Sequence, residues 1–172
     1  IQSKKQIDPN LSIEEIYDIT QKKGGVSLLF YRAALENEIL GVEKNLLLNL
    51  GFLGQLENDI FDLYKDYKAG IRTLATSTKS ITALHSQYQL ILNDVYSLIE
   101  QTDFPKSNKK KFARLVGVIA TRGMVCLDHL ASLEENTTFE VSRHSRKQLI
   151  CDMGKLKNSI KWTIFYLNWN ID

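Results

Sequence analysis

The sequence predicts an all-α fold, and three observations carry that prediction. Only two prolines and nine glycines occur in 172 residues, so long stretches run without a breaker. Apolar side chains recur at helical spacing through most of those stretches. A hydrophobic content of 44% suffices for a sizeable core in one domain spanning residues 1–172. No internal repeat or low-complexity linker marks a second domain.

Six helical segments follow in order. The first comes after Asp8-Pro9-Asn10, with Ser12 as N-cap and Glu15 completing a capping box, and ends near Lys23 before Gly24-Gly25. A second spans about Val26 to Asn37, where Leu28, Leu29, Tyr31, Ala34 and Leu35 give the apolar pattern. The third runs from about Val42 to Tyr67 and stops at Gly70. The fourth covers about Ser77 to Gln101 and halts at Asp103-Phe104-Pro105. The fifth begins after Ser107 and reaches about Leu133, and Glu134–Thr138 is a polar turn. The last runs from about Phe139 to Asn168.

Composition excludes several functions. A formal net charge of +2 is too small to argue for nucleic acid, and no Gly-rich phosphate loop or Cys/His cluster is present. The run Lys109-Lys110-Lys111 reads as the solvated start of a helix. Cys126 and Cys151 lie in apolar helical stretches and read as reduced, buried thiols, which points to the cytoplasm. No stretch has the apolar length of a membrane span, and no signal peptide is evident. His85, His129 and His144 share no spacing that suits a metal. The chain starts at Ile1 rather than methionine, as expected of a processed chain or a piece of a longer one.

The most informative residues are Asn58, Asp62 and Asp66, four apart along LGQLENDIFDLYKDYKAG. On a helix such a row drifts by only about 40° per step, so three oxygen-bearing side chains point into one space. Two carboxylates and an amide suit a hard cation such as Mg²⁺. Lys65 and Lys68 stand beside them, where a metal-bound phosphate needs positive charge. Charges at this spacing are also common on solvated helix faces. Two features argue for more. Gly51, Gly54 and Gln55 lie upstream on the same side, although glycine inside a helix costs about 1 kcal/mol. Leu47, Leu50, Leu53, Leu56, Ile60, Phe61 and Leu63 cover much of the remaining circumference, as in a helix buried within an assembly.

This helix resembles the second Asp-rich region of the class I isoprenoid synthases, a family that includes trans-prenyl diphosphate, terpene and squalene/phytoene synthases. Residues 51–62, GFLGQLENDIFD, look like the prenyl synthase run G-x-x-x-Q-x-x-D-D-x-x-D, with Asn58 replacing the leading Asp. Asn58-Asp59-x-x-Asp62-x-x-Lys65-Asp66 is closer to the cyclase pattern N-D-x-x-S-x-x-K-E and matches the N-x-x-x-D-x-x-x-D form. Lys23-Gly24-Gly25 resembles the K-T-x element that precedes the metal helix, and Lys68-x-Gly70-x-Arg72 resembles the basic loop that closes over diphosphate. These matches cover about Ser12 to Leu74, well under half the chain.

The resemblance implies an antiparallel helical bundle of the isoprenoid synthase type, here a partial bundle of about six helices. It implies Mg²⁺ held by Asn58, Asp62 and Asp66, and diphosphate contacts from Lys23, Lys65, Lys68 and Arg72. Gln55 would line the mouth of the site. The substrate would be an allylic prenyl diphosphate, ionised and then condensed or cyclised in an apolar pocket. The family's first Asp-rich motif is missing, and Glu134-Glu135-Asn136, the nearest approach, falls on the wrong side of the order. The chain is therefore either the C-terminal half of a synthase or a relative without the chemistry. Homodimerisation, or association with a missing N-terminal half, is expected. The rival readings are a non-catalytic helical binding or scaffolding protein, and a helical dimerisation module whose acidic row is surface. Trp162, Phe165, Tyr166 and Trp169 read as core packing, and Arg122 as the partner of a buried acid or carbonyl.

Overall fold

The structure is a computed structural model, and it describes residues 2–39, 41–136 and 138–169. Ile1, expected to begin a processed chain or a piece of a longer one, and Thr137, within the expected polar turn, lie outside them. Among the described residues a 3₁₀ segment at Gln2–Ile7 is followed by eight α-helices. They are α1 (Ile13–Ala33), α2 (Glu43–Phe61), α3 (Leu63–Lys68), α4 (Leu74–Ser77), α5 (Ile81–Gln101), α6 (Lys106–Ala131), α7 (Arg146–Leu149) and α8 (Leu156–Leu167). Among the described residues no strand forms, and no helix is long and apolar enough to cross a membrane.

Local chemistry starts α1 where expected. Ser12 and Glu15 form the capping box of α1 in both directions, with Ser12 N donating to Glu15 Oε2 at 2.9 Å and Glu15 N to Ser12 Oγ at 3.2 Å. Phe52, Leu53, Leu56 and Ile60 of α2 are fully buried and face Tyr88, Leu92, Val95 and Ile99 of α5 and the inner side of α6 within one apolar cluster. α2 is the hub, packing along α1 and against α5 and α6, while α8 lies on α6.

Two expectations fail. Gly24-Gly25 does not separate two helices, because α1 runs straight through it. Both glycines are buried where α1 crosses α2: a Cβ on Gly24 would sit 1.9 Å from Gly51 O, and one on Gly51 would sit 2.4 Å from Gly24 O. The missing side chains serve a close approach rather than a turn. The expected final helix is three pieces instead, a 3₁₀ turn at Val141–Arg143, then α7 and α8. A Ser145–Gln148 capping box opens α7, and Asp152 Oδ1 accepts from Gly154 N at 2.9 Å in a tight turn before α8.

The expected third helix spans α2 and α3. At Asp62 the backbone (φ −85°, ψ 5°) leaves helical geometry for one residue, yet Asp62 N to Asn58 O (2.8 Å) and Asp66 N to Asp62 O (2.9 Å) keep the four-residue pattern. Apolar surface remains outside the core. Phe30 and Tyr31 of α1 are more than 70% exposed, and Leu156, Ile160, Ile164 and Leu167 form an outward row on α8. Trp162 and Phe165 of α8, and Trp169 just beyond it, pack on the core, and Trp162 Nε1 donates to Val118 O (3.0 Å).

The crossing predicts opposite outcomes at neighbouring glycines. Gly51→Ala should destabilise by about 1–3 kcal/mol or more through backbone overlap. Gly54→Ala, three residues along in open space on α2, should stabilise by about 0.5–1 kcal/mol. Urea denaturation of the two variants measures both, and equal effects would remove the crossing as a constraint.

Candidate functional site

The glycine crossing determines what meets the polar side of α2. A Cβ on Gly24 would meet the Gly51 carbonyl and lie 2.9 Å from Gln55 Cβ, and Lys23 is the residue just before this crossing. Its charge acts on both Asp59 and Asp66. Lys23 itself is exposed and forms no ion pair among the described residues.

Asp59 is the centre of this group. It is 3% exposed, Gln55 Nε2 donates to its Oδ1 at 2.7 Å, and its Oδ2 is buried with no hydrogen-bond partner. An unpaired buried carboxylate oxygen is costly, so its proton is held more tightly. Burial pushes the Asp59 carboxyl up to about 7, opposed by the Gln55 hydrogen bond and Lys23 and reinforced by Asp66 and Asp62. Asp66, 9% exposed, is also raised, first by burial and then by Asp62.

The three proposed metal ligands divide by environment. Asn58 is exposed, Asp62 is half-buried and Asp66 is buried, so the row runs from solvent towards the interior. Lys65 Nζ binds Asp62 Oδ2 at 2.8 Å, which raises the lysine pKa. Lys68, the last residue of α3, is exposed and makes no ion pair among the described residues. Arg72 is occupied elsewhere. Its Nη1 donates to the carbonyls of Pro9 and Leu11, its N donates to Gln6 O at 2.7 Å, and Gln6 Nε2 donates to Arg72 O at 2.9 Å. The side chain fastens the lead-in rather than facing the acidic row.

A better-aligned row is Gln55, Asp59, Asp62 and Asp66, at steps of four, three and four. At 100° per residue it stays within about 60° of arc, less than the roughly 80° of Asn58, Asp62 and Asp66. That spacing marks Asp59, which the sequence reading quoted in the motif without giving it a role.

Beside the row opens a cavity of about 620 Å³, lined by Gln55, Asn58, Phe61, Arg122, Ile150 and Met153 among others. Arg122 Nε pairs with buried Glu57 Oε1 at 2.9 Å, and its guanidinium lies 5.2 Å over the Phe61 ring. This is the buried-acid partnership expected of Arg122. Burial still raises the Glu57 pKa, because desolvation outweighs the arginine's opposing pull. The far wall is the non-helical stretch carrying Cys151, and both Cys126 and Cys151 are buried and free.

Among the described residues no three His, Cys, Asp or Glu side chains cluster closely enough to hold a metal ion by themselves. The donor chemistry nevertheless fits a hard cation that keeps water or phosphate ligands, since the Asp59 Oδ2 lacks any partner. No family model matches the chain, and no curated protein or solved structure matches it significantly.

Two outcomes test these assignments. The unfolded chain loses the Asp59 proton near 3.8, while the folded chain keeps it to about 7. The folded state thus binds the extra proton between those values, and stability falls as pH rises through that window. Asp59→Asn should flatten this fall and melt higher than the parent at about pH 8, by an amount equivalent to a few kcal/mol at most. A parallel pH profile in thermal melts would contradict the burial argument. Arg72→Ala should make residues 4–11 more sensitive to limited proteolysis, since the Arg72 side chain holds the carbonyls of Pro9 and Leu11.

Proposed function

We propose that this protein binds an allylic prenyl diphosphate with Mg²⁺ at the junction of α1, α2 and α3, after the manner of the class I isoprenoid synthases that its sequence resembles. One observation carries the reading. Lys23 of α1 acts on two buried carboxylates of other helices, Asp59 and Asp66, and one Asp59 oxygen is buried without a partner.

In this reading Asn58, Asp62 and Asp66 hold the ion, with Asp59 behind them and Gln55 fixing the Asp59 rotamer. Lys23 and Lys65 lie close enough to the carboxylates to meet an incoming phosphate, and Lys68 can join them from the end of α3. Magnesium, when bound, supplies Lewis acidity to a departing diphosphate. The chain's own contribution is to exclude water and present apolar walls. Phe61, Ile150 and Met153 offer such walls beside Asn58. Condensation or cyclisation would follow ionisation in a catalytic relative.

A second reading, a non-catalytic helical protein that keeps the binding site, is favoured by one observation. Among the described residues no three His, Cys, Asp or Glu side chains form a group that could hold a metal ion.

Thermal shift with Mg²⁺, pyrophosphate and both together tests the binding. The combination should stabilise most, by about 2–3 kcal/mol at a hundredfold excess over Kd. Asp62→Ala should abolish that gain and Lys23→Ala should weaken it; an undiminished gain in Asp62→Ala would end the proposal. Release of inorganic pyrophosphate from an allylic prenyl diphosphate then separates the catalytic reading from the non-catalytic one.

A further inference from the structure

A second cavity, of about 460 Å³, opens far from the acidic row, between the start of α2 and the α5–α6 turn. Leu46, Leu47, Ile99, Phe104, Phe112 and Leu115 form its walls, and its volume is within the range of small-molecule sites. Phe104 and Leu115 are more than half exposed at its edge, so the apolar surface continues to the mouth.

The charged residues around that mouth are unequal. Arg32 is neutralised by Glu43 at 2.6 Å, and its Nη1 and Nη2 donate to the carbonyls of Asn37 and Glu38. Lys109 and Lys111 also line the cavity, and neither forms an ion pair among the described residues. Lys109 Nζ reaches only a backbone carbonyl, Glu100 O, at 2.6 Å. The nearest acids in sequence, Glu100 and Asp103, pair with none of these lysines. α6 moreover opens with four lysines in six residues and no acid in its first turn. Helix starts favour negative charge, so the chain leaves this positive field uncompensated. The lysine run, read from sequence as a solvated helix start, borders an apolar hole.

We infer that this cavity binds a single-chain amphiphile with an anionic head, the aliphatic tail between Leu46, Ile99 and Phe112 and the head at Lys109 and Lys111. Carboxylate and phosphate heads share the required chemistry. The site is separate from the acidic row and stands whether or not that row binds diphosphate.

A dansyl-labelled undecanoate, titrated into the intact chain below its micellar concentration, tests the inference by fluorescence. Saturable one-to-one binding is expected, displaced by dodecanoate and by dodecyl phosphate, with the tighter competitor naming the head group. Dodecanol should compete about tenfold less well, since it lacks the charge. Leu115→Glu and Lys111→Glu alter exposed positions and should each weaken binding about tenfold while leaving the thermal melt intact. Pyrophosphate with Mg²⁺ should leave the probe bound. Absence of saturable binding, equal competition by dodecanol, or full binding by both variants would overturn the assignment. So would binding confined to vesicles of anionic phospholipid, which would make the patch a membrane-facing surface.

Discussion

The near-contact of the α1 and α2 backbones at Gly24 and Gly51 governs the polar half of this molecule. With no side chain at either position, two helices approach closely enough for Lys23 to act on carboxylates that belong to another element. The approach also buries Asp59, because the polar side of α2 then faces protein rather than water. Burial, proximity of charge and the unsatisfied oxygen are thus three consequences of one steric fact. A larger residue at the crossing would separate them all.

Low local polarity then decides how the acidic group behaves. Asp59, Asp62 and Asp66 repel one another, and the two that are buried hold their protons more tightly than free carboxylates do. Lys65 and Lys23 offset part of that repulsion without entering the buried region. The group stores unfavourable electrostatics that a bound cation would relieve. Arg122 and Glu57 show the contrasting solution on the next face, where a direct ion pair and an aromatic ring satisfy a buried acid internally.

Much of this was legible in the residues, and what was not has a physical cause. The Ser12–Glu15 box, the halt of the fourth helix before Pro105 and the all-α class follow from local signals that tertiary packing did not override. Gly24-Gly25 misled because glycine marks both a chain break and a close approach, and only the partner helix decides between them. The breaks within residues 139–168 were written locally, in the Ser145–Gln148 pair and the Asp152–Gly154 turn, but the apolar periodicity around them concealed both. The polar row was visible, and its four-three-four spacing also held Asp59, which burial then sets apart from Asn58. Arg72 looked like an anion ligand because nothing in sequence reveals that Pro9 and Leu11 lie sixty residues away yet within reach.

The wall formed by residues 150–153 differs in kind from the rest of the 620 Å³ cavity. The other walls are helices whose positions are locked by the core, so their contour can change only through costly repacking. This stretch is a connector, anchored by Cys151 inside and by the Asp152 turn outside. Insertions or deletions there would reshape the chamber while sparing the scaffold. Divergence among descendants of this fold should therefore concentrate in those few positions, giving new contents to an unchanged frame.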